Sequence, residues 1–242
     1  MNENPYFQAF SYTETFRNMK KTATILSLFL IMLSASAQER FTKSFRLGFT
    51  TSPSVNWMSS GKNEISRGKA IAGFDFGLNA DFFFDMQERY AFTTGLLVSS
   101  TGGELDFYLP DDFIFAGEVI KPGSSIRYRL QYLEVPLAIK LKTSDFQRWS
   151  YWGQFGLSGF MNIGAKGTTN DGVLDKTDIN REIKLFNLAM NLGIGSEYDL
   201  GRGNSLQIGP VFKNGFVDVT KDKSIHDKTI LNSLQLKLGL VF

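Results

Sequence analysis

The segment Ser233-Leu-Gln-Leu-Lys-Leu-Gly-Leu-Val-Phe242 sets Leu234, Leu236, Leu238, Leu240 and Phe242 against Gln235, Lys237, Gly239 and Val241. A period of two with one apolar face is the signature of a half-buried β-strand. In a soluble domain these leucines would lie under a helix, yet no amphipathic helical period is evident beyond residue 37. Lipid is then the apolar partner to expect. A closed barrel is the all-β solution that lets a sheet sit in lipid, because closure pairs every backbone N–H and C=O and leaves no edge. Short alternating strands also build soluble sandwiches, so the rest of the chain has to separate the two.

The same alternation recurs upstream. Phe45, Leu47, Phe49, Val55 and Trp57 mark a first strand. In the second, Phe74, Phe76, Leu78, Ala80, Phe82 and Phe84 alternate with Gly73, Asp75, Gly77, Asn79 and Asp81. Two aspartates on one inner face are costly in an apolar core and point to a polar interior with an apolar exterior. Strands three, five, six and seven follow from Tyr90, Trp149, Phe186 and Leu206. Strand four, 126–141, breaks phase: Tyr128, Leu130 and Tyr132 lie on one parity and Leu133, Val135, Leu137, Ile139 and Leu141 on the other. A β-bulge near Tyr132 and Leu133, with Pro136 close by, would restore a continuous apolar face and turn Arg127 and Arg129 inward.

The connections sort by length. Those at 58–69, 104–125, 166–181 and 220–228 are long, and those at 85–89, 143–148 and 201–204 are short. A sandwich has no reason to sort its loops this way. Outer-membrane barrels do, with short turns toward the periplasm and long loops outward. The fold expected is therefore all-β: an eight-stranded antiparallel transmembrane up-and-down β-barrel. Phe84, Tyr90, Phe92, Trp149, Tyr151, Tyr198 and Phe242 collect at the short-turn end, where they would form an interfacial girdle. The connection 104–125 carries its own apolar residues, Phe107, Tyr108, Phe113, Ile114 and Phe115, and would extend its hairpin above the membrane.

Met19, Lys20 and Lys21, an apolar run from Ala23 to Leu33, and Ser34-Ala-Ser-Ala37 read as a secretory signal peptide, residues 19–37, cleaved after Ala37. The run is shorter than the roughly 20 residues a spanning helix needs. Residues 1–18 precede it and read as an over-extended start, which leaves 38–242 as the barrel domain in the outer membrane. A net charge of +2, from 26 basic and 24 acidic residues, provides no polyanion-binding field, so nucleic acid is not an expected partner. Cysteine is absent, which removes thiolate chemistry and lipidation at cysteine.

On the inner face the sequence places Arg46, Arg127, Arg129, Lys140, Lys213 and Lys237 against Asp75, Asp81, Glu134, Glu197 and Asp199. Eight strands enclose only enough room for side chains. An interlocked polar network is expected, and the mixed signs speak against an ion path. For catalysis the sole candidate is His226, beside Asp222, Ser224 and Asp227 in the last long loop. Catalytic groups are normally assembled from separate elements, so these neighbours read as solvated loop residues and a non-enzymatic protein is expected. No nucleotide fingerprint or metal-ligand spacing stands out, so no cofactor is expected.

The chain resembles the PorT-like family of outer-membrane β-barrel proteins of Bacteroidetes. Tyr132-Leu-Glu-Val-Pro-Leu137, the segment Gly193 to Gly201 leading through Leu206 to Gly215, and the leucine-alternating last strand carry the resemblance. It implies an outer-membrane protein whose namesake serves type IX secretion and gliding. Secretion-apparatus proteins would then be partners, and the family offers no catalytic residues. Leu238, Leu240 and Phe242 likewise resemble the C-terminal signal read by the barrel-insertion machinery, which joins outer-membrane lipid as an expected partner. The alternatives are a stand-alone surface barrel for adhesion or envelope integrity and, less favoured, a small pore or a lipid-modifying enzyme.

Overall fold

The computed structural model describes residues 45–221 and 228–242; the expected signal peptide, the residues before it and His226 with its neighbours Asp222, Ser224 and Asp227 lie outside the described residues. Eight long strands form one antiparallel meander: β1 (Phe45–Ser60), β2 (Ile71–Phe83), β3 (Tyr90–Phe107), β4 (Ser125–Lys142), β5 (Trp149–Thr169), β6 (Phe186–Gly201), β7 (Asn204–Gly215) and β8 (Thr229–Val241). Each pairs with its neighbours in sequence. Between Gly48↔Val241 and Ser60↔Thr229, β8 pairs back onto β1 and closes the sheet. Leu234, Leu236, Leu238 and Leu240 of β8 lie on the outside, while Gln235, Lys237, Gly239 and Val241 are buried within.

The short turns are built as their residues dictate. Asp85 accepts the backbone N–H groups of Arg89 and Tyr90 at 2.9 and 3.0 Å, tying β2 to β3. Between β6 and β7, Gly201, Arg202 and Gly203 all adopt positive φ, at 87°, 60° and 82°, which glycine does without steric cost. The expected girdle lies at this end. Phe84, Tyr90, Trp149, Tyr151 and Phe242 are exposed, and the rings of Trp149 and Tyr198 stand 4.8 Å apart.

Several strands run beyond the apolar alternation that marks their ends in the sequence, β3 as far as Phe107 and β5 as far as Thr169. Backbone pairing continues above the lipid because the ladder needs partners there too. Short segments add to it: Ile65–Arg67 pairs with β3, and Thr177–Asp178 pairs with β5. Phe113–Phe115 and Glu118–Ile120 form a small hairpin of their own, turning at Ala116 and Gly117, both at positive φ.

The bulge is present, but in β5. The register passes from Gln131↔Gly164 to Tyr132↔Asn162 and steps over Ile163. On β4 the parity never changes. Tyr128, Leu130, Tyr132, Glu134, Ala138 and Lys140 are all buried on the inner face. Arg127 and Arg129 therefore stand on the outer face with Val135, Leu137, Ile139 and Leu141, contrary to their expected inward placement. The apparent phase break is a change in what the barrel encloses, from polar near the short turns to apolar near the long loops.

That apolar end is a second core. Met58, Leu105, Ile126, Tyr128, Leu130 and Phe160 from the strands meet Ile65, Phe113, Phe115, Ile120, Leu174, Ile179, Ile183 and Val219 from the connections. Phe115 packs edge-on against Tyr128, with centroids 5.9 Å apart, and Phe107 against Phe113 at 5.1 Å. The long connections are thus folded onto the barrel mouth by the apolar residues they carry.

Candidate functional site

The polar part of the lumen lies below this cap and is organised in three tiers. Nearest the short turns, Glu197 accepts from Arg46 Nη1 at 3.0 Å, Lys142 Nζ at 3.0 Å, Ser205 Oγ at 2.9 Å and Gln207 Nε2 at 2.8 Å. The four donors come from β1, β4 and β7, so one carboxylate joins opposite walls of the barrel. Lys142 is absent from the sequence expectation, which ends strand four at Leu141. The parity of Lys140 carried one step further would have found it.

In the middle tier Lys140 Nζ lies 2.6 Å from Asp81 Oδ2, and Thr93 Oγ1 donates to Asp81 Oδ1 at 2.6 Å. The ring of Trp152 fills the adjacent space opposite Gly193 and Gly195, where a Cβ on Gly195 would meet it at 2.5 Å. Its Nε1–H donates to Ser196 O at 3.1 Å. Lys237 Nζ stands 5.2 Å from that ring and donates to Gln154 Oε1 at 3.4 Å. Among the described residues Lys237 forms no direct ion pair; the ring, the amide and the nearby carboxylates of Asp81 and Glu197 together offset its burial.

In the tier below the cap Lys213 Nζ bridges Asp75 at 3.0 Å and Glu134 at 2.6 Å. Ser99 Oγ donates to Asp75 Oδ1 at 2.7 Å, and Gln235 Nε2 donates to its other oxygen. Buried carboxylates need partners of this kind, because an unpaired charge in a low-dielectric interior is strongly unfavourable.

Of the residues the sequence places in the lumen, Arg46, Asp75, Asp81, Glu134, Lys140, Glu197 and Lys213 come together in these ion pairs, and Lys237 sits among them. Asp199 is at the rim, where its carboxylate accepts the Gly201 N–H at 2.7 Å and closes its own turn. Arg127 and Arg129 are outside. Below the cap, two spaces among the polar side chains measure about 50 and 20 Å³, each room for no more than a few waters. Among the described residues no group of His, Cys, Asp and Glu could hold a metal ion.

The cap is tied by polar contacts at its edge. Asp171 accepts Ser124 Oγ at 3.2 Å and the Val173 N–H at 3.1 Å, joining the loop after β5 to the start of β4. A hydrogen bond from Thr169, then that from Val173, hold its carboxyl below the ordinary carboxylate range.

Closed, apolar outside along its middle and polar within, this is a transmembrane β-barrel of the outer membrane. The chain belongs to the family of outer membrane protein β-barrel domains, whose model matches residues 36–240. Among solved structures it is similar to Neisserial surface protein A, at 12% identity over 81% of this chain and 95% of that one, with a TM-score of 0.43. It is similar also to the outer membrane protease OmpT from Escherichia coli (8% identity, 84% and 99% covered, TM-score 0.44) and to Ail, the attachment invasion locus protein of Yersinia pestis (11%, 81% and 98%, 0.37). No curated protein sequence matches the chain.

Proposed function

We propose that this barrel is a non-enzymatic, PorT-like accessory component of protein secretion, of the type IX kind. The observation that carries the reading is the filled interior. Among the described residues, ion-paired tiers and an apolar cap fill the interior, so the work falls to the two rims and the outer wall. A barrel of this kind serves as a docking body for other proteins in the membrane. Its partners are secretion-apparatus proteins, and the barrel-insertion machinery reads Leu238, Leu240 and Phe242, which face outward on the last strand.

The test is the extracellular proteome of the native host with and without the gene, restored by a wild-type copy. Trapping of a set of exported proteins in the periplasm is the expected result. Unchanged secretion would overturn the reading. A second reading, a stand-alone surface barrel for adhesion or envelope integrity, is favoured by the hairpin in the 104–125 connection. Its Ile114 and Val119 point to solvent while Phe113, Phe115 and Ile120 anchor it.

A further inference from the structure

The outward placement of Arg127 and Arg129 creates a feature the lumen does not explain. On the outer wall, the apolar face stops along a common line: Val98 and Leu133 are paired just below it, and Ser100 and Gln131 just above. On β5 the change falls between Ile163 and Lys166, with Gly164 opposite Gln131. Immediately above this line, on the long-loop side, lies a lateral cleft of about 790 Å³ whose walls carry Lys69, Arg127, Arg129 and Lys166.

These cations are held and largely uncommitted. Arg127 Nε and Nη2 both donate to Glu104 Oε2, at 3.0 and 2.9 Å, which fixes its guanidinium at the cleft. Among the described residues Lys69, Arg129 and Lys166 enter no ion pair. Asp178, the one acidic side chain in the lining, accepts instead from the Asn180 N–H and side-chain amide, at 2.8 and 3.1 Å. The cleft therefore keeps a cationic surplus at the depth of the lipid headgroups, where long basic side chains meet anionic lipid.

Below the cleft on β4 and β5, and reaching across to β6, is a groove of about 540 Å³ in the apolar band, lined by Leu133, Val135, Met161, Phe186, Leu188 and Val217. Gly159 forms part of its floor, and a Cβ there would meet only Val135 O, at 3.9 Å. The missing side chain keeps a channel open along the wall. A cationic cleft stacked on an apolar groove matches a ligand with anionic headgroup and hydrocarbon tail in the same order.

We propose that this stretch of wall binds one phosphorylated, acylated glycolipid of the outer leaflet, its phosphates held by Arg129, Lys166, Arg127 and Lys69 and an acyl chain lying over Gly159. The barrel would then carry a bound lipid on the β3–β6 side. The test titrates the barrel, in phosphatidylcholine nanodiscs, with lipid A bearing both phosphates, with dephosphorylated lipid A, and with inorganic pyrophosphate. Folding of each variant is confirmed by heat-modifiable electrophoretic migration. Wild type should bind the phosphorylated lipid at least tenfold more tightly than the dephosphorylated one. The double variant Arg129→Ala, Lys166→Ala should lose that preference. Gly159→Leu should weaken lipid binding severalfold while leaving pyrophosphate binding as it was. The proposal is overturned if the folded double variant retains wild-type preference, or if pyrophosphate binds as tightly as the lipid and Gly159→Leu changes nothing, which would make the cleft a site for soluble anions.

Discussion

Lys213→Met should destabilise the folded barrel by about 3–5 kcal/mol, the usual effect of breaking a buried ion pair from one side. Asp75 and Glu134 are each 1% exposed, and Lys213 is the cation that touches both. Methionine keeps the bulk but leaves two neighbouring carboxylates facing each other with only Ser99 and Gln235 as donors to Asp75. Urea unfolding in lipid vesicles reads the loss. Adding Asp75→Asn and Glu134→Gln should recover most of it, because the penalty belongs to the stranded charges. A loss of under about 1 kcal/mol would mean that water solvates the tier as it does a surface pair.

Trp152→Ala should cost a similar amount, about 3–5 kcal/mol, as large aromatic truncations in packed interiors do. The ring is 3% exposed and occupies the space left by Gly193 and Gly195, so no neighbour can collapse into the vacancy without moving β6. It also faces Lys140 and Lys237, at 5.9 and 5.2 Å from their Nζ atoms. Alanine removes the packing and, with it, the ring's share of the compensation for Lys237. Trp152→Phe keeps a ring but loses both the benzo atoms that fill the space at Gly193 and Gly195 and the Nε1–H bond to Ser196, an intermediate loss of about 1–3 kcal/mol. Comparable unfolding midpoints for the alanine variant and wild type would show that the middle tier is loosely filled.

Much of the barrel is legible in the sequence because the lipid-facing side of each strand must be apolar, and the lumen-facing side is free to differ. Period two then survives in every strand, and β8 displays it without interruption from Leu234 to Leu240. The tight turns are legible for a local reason: the Asp85 carboxylate and the glycines at 201 and 203 specify them within a few residues. Pairings across the barrel are different. That Glu197 meets Arg46 and Lys142, or Lys213 meets Glu134, depends on which walls face each other after closure, and spacing along the chain does not encode this.

Arg127 and Arg129 show where alternation misleads. Read as a phase break, Tyr128, Leu130 and Tyr132 belong to the lipid face and the arginines to the lumen. The alternation is in fact continuous, and the interior itself turns apolar beneath the folded loops. Signals existed in the apolar residues scattered through the connections, Phe113, Phe115, Ile120, Leu174 and Ile179, which need somewhere to be buried. The cap they form is a tertiary event, and period alone does not report it.

The filling of the lumen is what the proposed function rests on. Single-channel recording in planar lipid bilayers tests it most directly, with protein whose folded state is verified before fusion. A filled lumen gives a baseline without discrete steps, at both voltage polarities and across a wide range of salt. Stable, salt-dependent conductance steps from the folded wild-type protein would contradict it, because the ion-paired tiers and the apolar cap would then have to open onto a continuous aqueous path.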